Sequence, residues 1–277
     1  MAAPSHDVRG LLKTHGIRLK KDLGQNFLIE ESYLRCIVQA AGLRKEDEVL
    51  EIGAGIGTLT RCLALSARRV CAVEIDERLF PLLENQTVNF ANVELVNGDI
   101  LRIPIEELVA RPGYKVVANI PYYLTSSLVR YLLESPVRPA SLTLTLQKEV
   151  AERICAGPGR LSLLALSVQV FGSPRIALEI PARAFYPAPK VDSATLVVDL
   201  FEQPLIPADR IDLFFRLIKA GFAQKRKMLH NTLSAGLALE SDRVKDLLQQ
   251  ANIDPRRRAQ TVTMEEWRRL VDVFKNI

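Results

Sequence analysis

Histidine is scarce: 277 residues hold only His6, His15 and His230. The long middle of the chain therefore offers no imidazole to act as a general base or to build a typical zinc site. Cysteine is nearly as sparse, with Cys36, Cys62, Cys71 and Cys155 scattered at no metal or redox spacing. Such thiols are expected as small buried hydrophobes in a reducing compartment. Long apolar runs are missing too. The nearest, LSLLALSVQVFG from Leu161, is broken by Ser and Gln, so no membrane span and no membrane partner is expected. The opening MAAPSHDVRGLLKTHG lacks the apolar core of a signal peptide, which points to a cytoplasmic protein. No internal repeat and no low-complexity tract interrupts the sequence, whose 48% hydrophobic and 25% charged residues suit a soluble globular chain.

What is present is unevenly placed. Residues 1–25 carry 5 Lys and Arg against 2 Asp and Glu, residues 26–203 carry 18 against 21, and residues 204–277 carry 14 against 9. Positive charge flanks an acidic centre, the pattern of a chain that meets a polyanion.

Apolar runs alternate with helical stretches along the first two hundred residues. Strands are expected at 48–52, 69–73, 93–96, 115–118, 142–146, 175–180 and 195–201, with helices at 58–65, 77–87 and 125–134. That alternation predicts an α/β fold, a doubly wound parallel sheet with helices on both faces. At Gln203-Pro204-Leu205-Ile206-Pro207 the pattern stops. Four helical segments follow, at 209–222, 225–237, 241–251 and 264–274, none succeeded by a strand. The expected layout is a basic N-terminal segment (1–25), an α/β domain (26–203) and a small all-helical domain (204–277) behind a proline-bearing linker.

Four strand ends carry unusual residues. The first runs into Glu51-Ile52-Gly53-Ala54-Gly55-Ile56-Gly57, whose glycines let a ligand approach the backbone where a helix begins. The second ends at Glu74, able to accept both hydroxyls of a ribose. The third ends at Asp99, able to accept from an adenine amine. The fourth ends in Asn119-Ile120-Pro121-Tyr122. Singly, a ligand-free glycine turn or a solvated carboxylate explains each feature. In a doubly wound sheet the carboxyl ends face one crevice, and together they describe a nucleoside cofactor beside a planar amine. The G-x-G-x-G spacing matches S-adenosylmethionine better than a dinucleotide, whose fingerprint is G-x-G-x-x-G.

These residues belong to a longer set. Gly24-Gln25-Asn26-Phe27-Leu28, Glu51 to Gly57, Val73-Glu74-Ile75-Asp76, Gly98-Asp99 and Asn119 to Tyr122 are joined by Leu146 to Arg153, Phe185 to Ser193, Phe222 to Lys227 and Arg258 to Thr263. Over nearly its whole length the chain resembles the rRNA adenine N6-dimethyltransferase family, most closely its bacterial small-subunit branch. The resemblance implies a Rossmann-like class I methyltransferase sheet and S-adenosylmethionine as cofactor. It also implies dimethylation of two adjacent adenosines in a hairpin loop near the 3′ end of small-subunit (16S) rRNA. The partners implied are that rRNA and the pre-30S particle, met by a monomer with a role in small-subunit biogenesis. Asn26 and Leu28 would close over the methionine part, Gly53 and Gly55 would contact it by backbone, Glu74 would hold the ribose and Asp99 the adenine. Asn119 would lie beside the reactive methyl. Two positions depart from the family: Ile120 replaces a usual Leu, and Lys225 stands where Arg is common, which keeps the charge but forgoes bidentate binding of phosphate. The alternatives are a large-subunit methyltransferase of the macrolide-resistance type and a largely non-catalytic ribosome-assembly factor. A nicotinamide dehydrogenase fails on glycine spacing.

The strand-end motif has a chemical reading of its own. The exocyclic nitrogen of adenine is a poor nucleophile because its lone pair is delocalised. Pro121 holds Ile120 extended, so the Asn119 amide oxygen and the Ile120 carbonyl can both accept the amine hydrogens. Tyr122 can stack on the extruded base and Phe185 can cover its other face. Alignment of this kind is worth about 7–11 kcal/mol of barrier, and no metal is called for. Lys225, Arg226, Lys227, Arg256, Arg257 and Arg258 form the expected RNA-binding clusters. Lys148, Arg183 and Lys190 read equally as surface charge, and Tyr123 as core or rim.

Overall fold

The computed structural model of the protein describes residues 8–20, 23–120 and 125–275. Its contacts divide the chain into two units: Met1–Ala151 with Arg175–Leu200, and Glu152–Pro174 with Phe201–Ile277.

The first unit is built on a seven-stranded sheet. Its strands are β2 (Glu48–Ile52), β3 (Arg69–Glu74), β4 (Val93–Asn97), β5 (Lys115–Asn119), β6 (Ser141–Gln147), β7 (Gly172–Ile180) and β9 (Ser193–Leu200). A separate two-residue pair joins β1 (Phe27–Leu28) to β8 (Phe185–Tyr186), with Phe27 opposite Tyr186 and Leu28 opposite Phe185. The order in the sheet is β4-β3-β2-β5-β6-β9-β7. Pairings among β2 to β6 are parallel, and β9 runs antiparallel to β6. The chain winds outward from β2 through β3 to β4, then returns to the opposite side of β2 with β5. The switch point between β2 and β5 is where such sheets place ligands. β2 is buried at every position, as a central parallel strand must be.

Seven helices accompany these strands: α1 (Val8–Thr14), α2 (Glu31–Ala40), α3 (Thr58–Ala64), α4 (Phe80–Thr87), α5 (Ile105–Leu108), α6 (Thr125–Glu134) and α7 (Lys148–Ile154), the last crossing into the second unit. The single helix expected over 77–87 divides: Glu77–Leu79 is a 3₁₀ turn, and α4 starts behind it with Pro81 in its first turn. Proline has no N–H to donate, and only the first turn tolerates that. The N-terminal segment is more than a basic tail. Val8 and Leu12 of α1 are buried in a cluster with Phe27, Ile56, Leu79 and Leu82.

The second unit contains α8 (Leu163–Gln169), α9 (Ile211–Phe222), α10 (Leu229–Leu237), α11 (Ser241–Gln250) and α12 (Met264–Phe274). It takes in residues 152–174, which the sequence pattern placed with the α/β domain. A capping box opens α12: Thr263 accepts from the Glu266 amide, and Glu266 accepts from the Thr263 amide. Its buried residues Trp267, Leu270, Val271 and Phe274 fall at helical spacing, and Trp267 stacks on Phe222 with ring centroids 6.3 Å apart. α9 and α10 approach closely at Gly236, where a Cβ would lie 2.6 Å from the Ala220 Cβ. α10 begins at Leu229 and not at 225, because Lys225, Arg226 and Lys227 lie in the preceding turn.

Candidate active site

Parallel pairing sets the tips of β2, β3, β4 and β5 along one edge, with Ile52 opposite Val73 and Ala118, and Glu74 opposite Asn97. A cavity of about 300 Å³ opens there, entirely within the first unit. Its wall includes Asn26, Gly53, Gly55, Glu74, Asp99, Asn119, Ile120 and Phe185, so most of the residues singled out in the sequence meet on one surface.

The glycine loop is held by the neighbouring strand: Gly53 and Ala54 both donate their amides to the Val73 carbonyl, at 2.9 and 3.1 Å. Gly53 (φ +77°) and Gly55 (φ +59°) adopt left-handed backbone that side chains disfavour. At Gly55 a Cβ would also meet the Phe27 ring at 2.9 Å, and at Gly53 it would fill space 3.5 Å from the Asn119 carbonyl.

Glu74 is fixed from both sides, its Oε2 accepting from the Gly55 amide at 2.7 Å and its Oε1 from the Asp76 amide at 2.9 Å. Each oxygen keeps further lone-pair capacity for hydroxyl donors. Burial pushes the Glu74 carboxyl up from its usual range, against the pull of those amides. Deeper in β2, Glu51 is almost fully buried, its Oε2 has no hydrogen-bond partner, and burial with nearby Glu74 raises its carboxyl to about 8. At neutral pH Glu51 is therefore predominantly protonated.

Asp99 accepts from the Leu101 amide at 3.0 Å, which turns the β4 tip towards the wall. Asn119 donates its Nδ2 to the Asn26 carbonyl at 3.1 Å, which leaves its oxygen as the acceptor. Asn26 in turn donates its side chain to the Gly24 carbonyl at 3.0 Å, and the Ile120 amide donates to the Thr145 carbonyl at 3.0 Å.

The remaining site expectations lie away from this wall or outside the described residues. Leu28 does not line the cavity; its side chain is buried with Leu34, Ile37 and Leu63 in the core. Pro121 and Tyr122 lie outside the described residues, as does Tyr123. The arginine run also divides. Arg257 is half-buried and paired with Glu266 in the capping box, and Arg256 pairs with Asp254 at 3.1 Å. Arg258 is exposed, as are Lys225, Arg226 and Lys227.

The sequence reading missed several wall residues, among them Leu23, Gln25, Phe27, Ile75, Ile100 and Leu101. Gln25 is held from behind: its Nε2 donates to Asp76 at 2.7 Å, and Asp76 also takes the Arg78 guanidinium. Arg78 is the main reason the Asp76 carboxyl falls to about 2. The signal for this support was its place inside the Gly24 to Leu28 and Val73 to Asp76 motifs.

An apolar cleft rimmed by two carboxylates and floored by glycine backbone fits an adenosyl group. The chemistry of the donor set is right for it: Glu74 for hydroxyls, Asp99 for an amine, Ile75 and Ile100 against a flat ring. Among the described residues no cluster suited to a metal ion occurs and no helix is long and apolar enough to cross a membrane. When bound, S-adenosylmethionine supplies a methyl group activated by its sulfonium. Asn119 and Ile120 lie on the same wall and carry oxygens able to accept from an amine; neither is a strong base.

Comparison with known proteins agrees. The family model described as ribosomal RNA adenine dimethylase matches residues 16–276. The chain is 41% identical over 267 residues to ribosomal RNA small subunit methyltransferase A of Alkaliphilus metalliredigens, covering 94% of this chain and 93% of that one. It is 40% identical over 285 residues to the protein of the same name from Enterococcus faecalis, covering 99% and 96%. Among solved structures, 23S rRNA methyltransferase ErmE superposes with a TM-score of 0.72 at 29% identity over 90% of this chain and 99% of its own. A dimethyladenosine transferase from Plasmodium falciparum shares the fold, with a TM-score of 0.77 at 24% identity over 90% and 98%. The cavity at the strand ends thus sits in an S-adenosylmethionine-dependent enzyme, and the chain belongs to the ribosomal RNA adenine dimethylase family.

Proposed function

We propose that the protein dimethylates N6 of two adjacent adenosines in a hairpin loop near the 3′ end of small-subunit rRNA, acting as a monomer on the pre-30S particle in the cytoplasm. The observation that carries this reading is Asn119 at the tip of β5. Its amide nitrogen is engaged by the Asn26 carbonyl, so its oxygen is presented to the cavity wall beside Ile120. Asn26 and Asn119 thereby couple the cofactor-side segment to the base-side acceptor. Phe185 is buried at the same wall, and in this reading it covers the base. Glu74 and Asp99 hold the nucleoside of the cofactor, and Gly53 and Gly55 admit its methionine part.

Residues 26–203 serve as the methyltransferase domain and 204–277 as the RNA-binding domain in this reading, with residues 152–174 working alongside the latter. Exposed Lys225, Arg226, Lys227 and Arg258 bind phosphates, which carry most of the affinity for RNA. The higher identity to small-subunit relatives, 41% against 29% for ErmE, favours the small-subunit substrate over a large-subunit one.

The deciding experiment incubates the protein with small ribosomal subunits lacking the modification and with labelled cofactor, then maps methylated adenines by mass. Two neighbouring dimethyladenosines near the 3′ end are expected. Label confined to large-subunit rRNA would favour the macrolide-resistance type, and RNA retention without any label would favour an assembly factor.

A further inference from the structure

The helical unit holds a second concavity, of about 530 Å³. Arg153, the 159–164 stretch, the end of α9 with the turn after it, and Ala259–Gln260 form its wall, all within that unit. The Gly159 amide closes one rim by donating to the Gln260 carbonyl at 3.0 Å. Arg153, Arg160, Lys219 and Lys225 converge here, and no carboxylate lines the wall. None of these four cations has an ion pair or a side-chain hydrogen bond with a described residue. Like charges gathered on a concave surface repel one another and concentrate a positive potential, which an anion relieves.

The wall is more than charged. Phe222 is half-buried there, backed by Trp267 at an interplanar angle of 29°. The Gln224 and Gln260 amides lie on the same wall, with no side-chain partner among the described residues. An aromatic face, two amides and several cations are the three elements that bind one unstacked nucleotide: ring for the base, amides for its edge, cations for the flanking phosphates. A patch serving only phosphate would not need the ring or the amides. We propose that this pocket takes a single extruded nucleotide of RNA, other than the adenosine that is methylated. The proposal rests on the RNA-substrate reading and adds to it a second point of recognition.

Trp267 is the only tryptophan in the chain and lies behind Phe222, so its fluorescence reports on the pocket. The experiment uses the full-length protein with the cofactor cavity saturated by S-adenosylhomocysteine. Uridine 5′-monophosphate, inorganic phosphate and polyglutamate are titrated separately, then a single-stranded RNA pentamer. Saturable quenching by the nucleotide at a concentration at least tenfold below that of phosphate is expected. The exposed double variant Arg160→Ala/Lys219→Ala should bind the pentamer at least tenfold more weakly. Gln260→Ala, which keeps every charge, should weaken the nucleotide severalfold and leave phosphate unchanged. Equal quenching by phosphate or polyglutamate would overturn the proposal, as would a double variant with unmoved pentamer affinity. In the latter case, RNA binding that stays strong and salt-dependent leaves the substrate reading standing and removes this pocket alone. Absence of RNA binding by the unsubstituted protein would remove both.

Discussion

The two units differ sharply in how they hold charge. The ranges of the α/β unit carry 21 Lys and Arg and 21 Asp and Glu, whereas those of the helical unit carry 16 against 11, so the net +5 of the chain belongs to the helices. In the α/β unit Glu51, Glu74 and Asp76 are buried, and the last two are locked by named donors. In the helical unit Lys225, Arg226 and Lys227 stand exposed in a turn. Groups that must meet one small ligand at fixed angles are immobilised at strand ends. In the proposed reading, groups that follow a long polyanion are left free, since phosphate attraction is long-ranged and tolerant of geometry.

The largest effect that sharpens this contrast is on stability. Trp267→Ala empties a fully buried site in the helical unit and should cost about 3–5 kcal/mol in denaturant titrations. Cofactor affinity, measured by calorimetry on the folded variant, should change less than twofold. A collapse of that affinity would show that the units are not functionally separable.

Next comes Glu74→Ala, which removes the acceptor proposed for two ribose hydroxyls. Hydrogen bonds to a charged group are worth about 1.5–3 kcal/mol each, so cofactor affinity should fall at least tenfold while RNA affinity holds. Unchanged calorimetric binding in a folded variant would take Glu74 out of the site.

The arginine run supplies a finer test. Arg257→Ala breaks the ion pair with Glu266 and should lower stability by about 1–3 kcal/mol, with little change in RNA binding. Lys225, Arg226 and Lys227 changed together to Ala should do the reverse. Stability should hold, and the slope of log affinity against log salt should flatten by roughly 0.7–0.9 for each phosphate that is no longer neutralised. Equal slopes for the triple variant and the unsubstituted protein would move the RNA footprint elsewhere.

The smallest effect is one of pH. The folded protein keeps a proton on Glu51 up to about pH 8, whereas the unfolded chain releases it near 4.5. The contribution of this group to stability is therefore full below pH 4.5 and is lost as pH rises through 8. Asp76 acts in a different window, contributing above pH 3.8 and losing that contribution as pH falls through 2. Melting temperatures of Glu51→Gln between pH 5 and 9 should decline less than those of the unsubstituted protein. Parallel curves would mean that Glu51 is charged in the folded state.

How much of this was legible depended on range. The strands of the sheet and the glycine loop follow from local pattern, because apolar alternation and Gly53 and Gly55 carry their own signal. Two-residue β1 and β8 have no periodicity and exist only through pairing between positions far apart in sequence. The Gln25–Asp76 hydrogen bond likewise joins residues 51 apart, and nothing local announces it. Residues 152–174 look like a continuation of the α/β pattern, yet they pack with the helices. Arg256, Arg257 and Arg258 read as one cluster; only the fold separates the one that clamps α12 from the one left exposed. The Asn119 motif was legible because its oddity is chemical: no turn requires an amide at that place.

That motif carries the central claim, and Asn119→Ala tests it most directly. Single-turnover methyl transfer and RNA affinity are measured on the same folded preparation. Removing one preorganised hydrogen-bonding group at a reacting centre, as measured for an oxyanion-hole donor, costs about 10²–10³ in rate. A loss of that order in methyl transfer is expected here while RNA binds within twofold of normal. Methyl transfer at close to the unsubstituted rate would contradict the claim that Asn119 presents the acceptor on which the reaction depends.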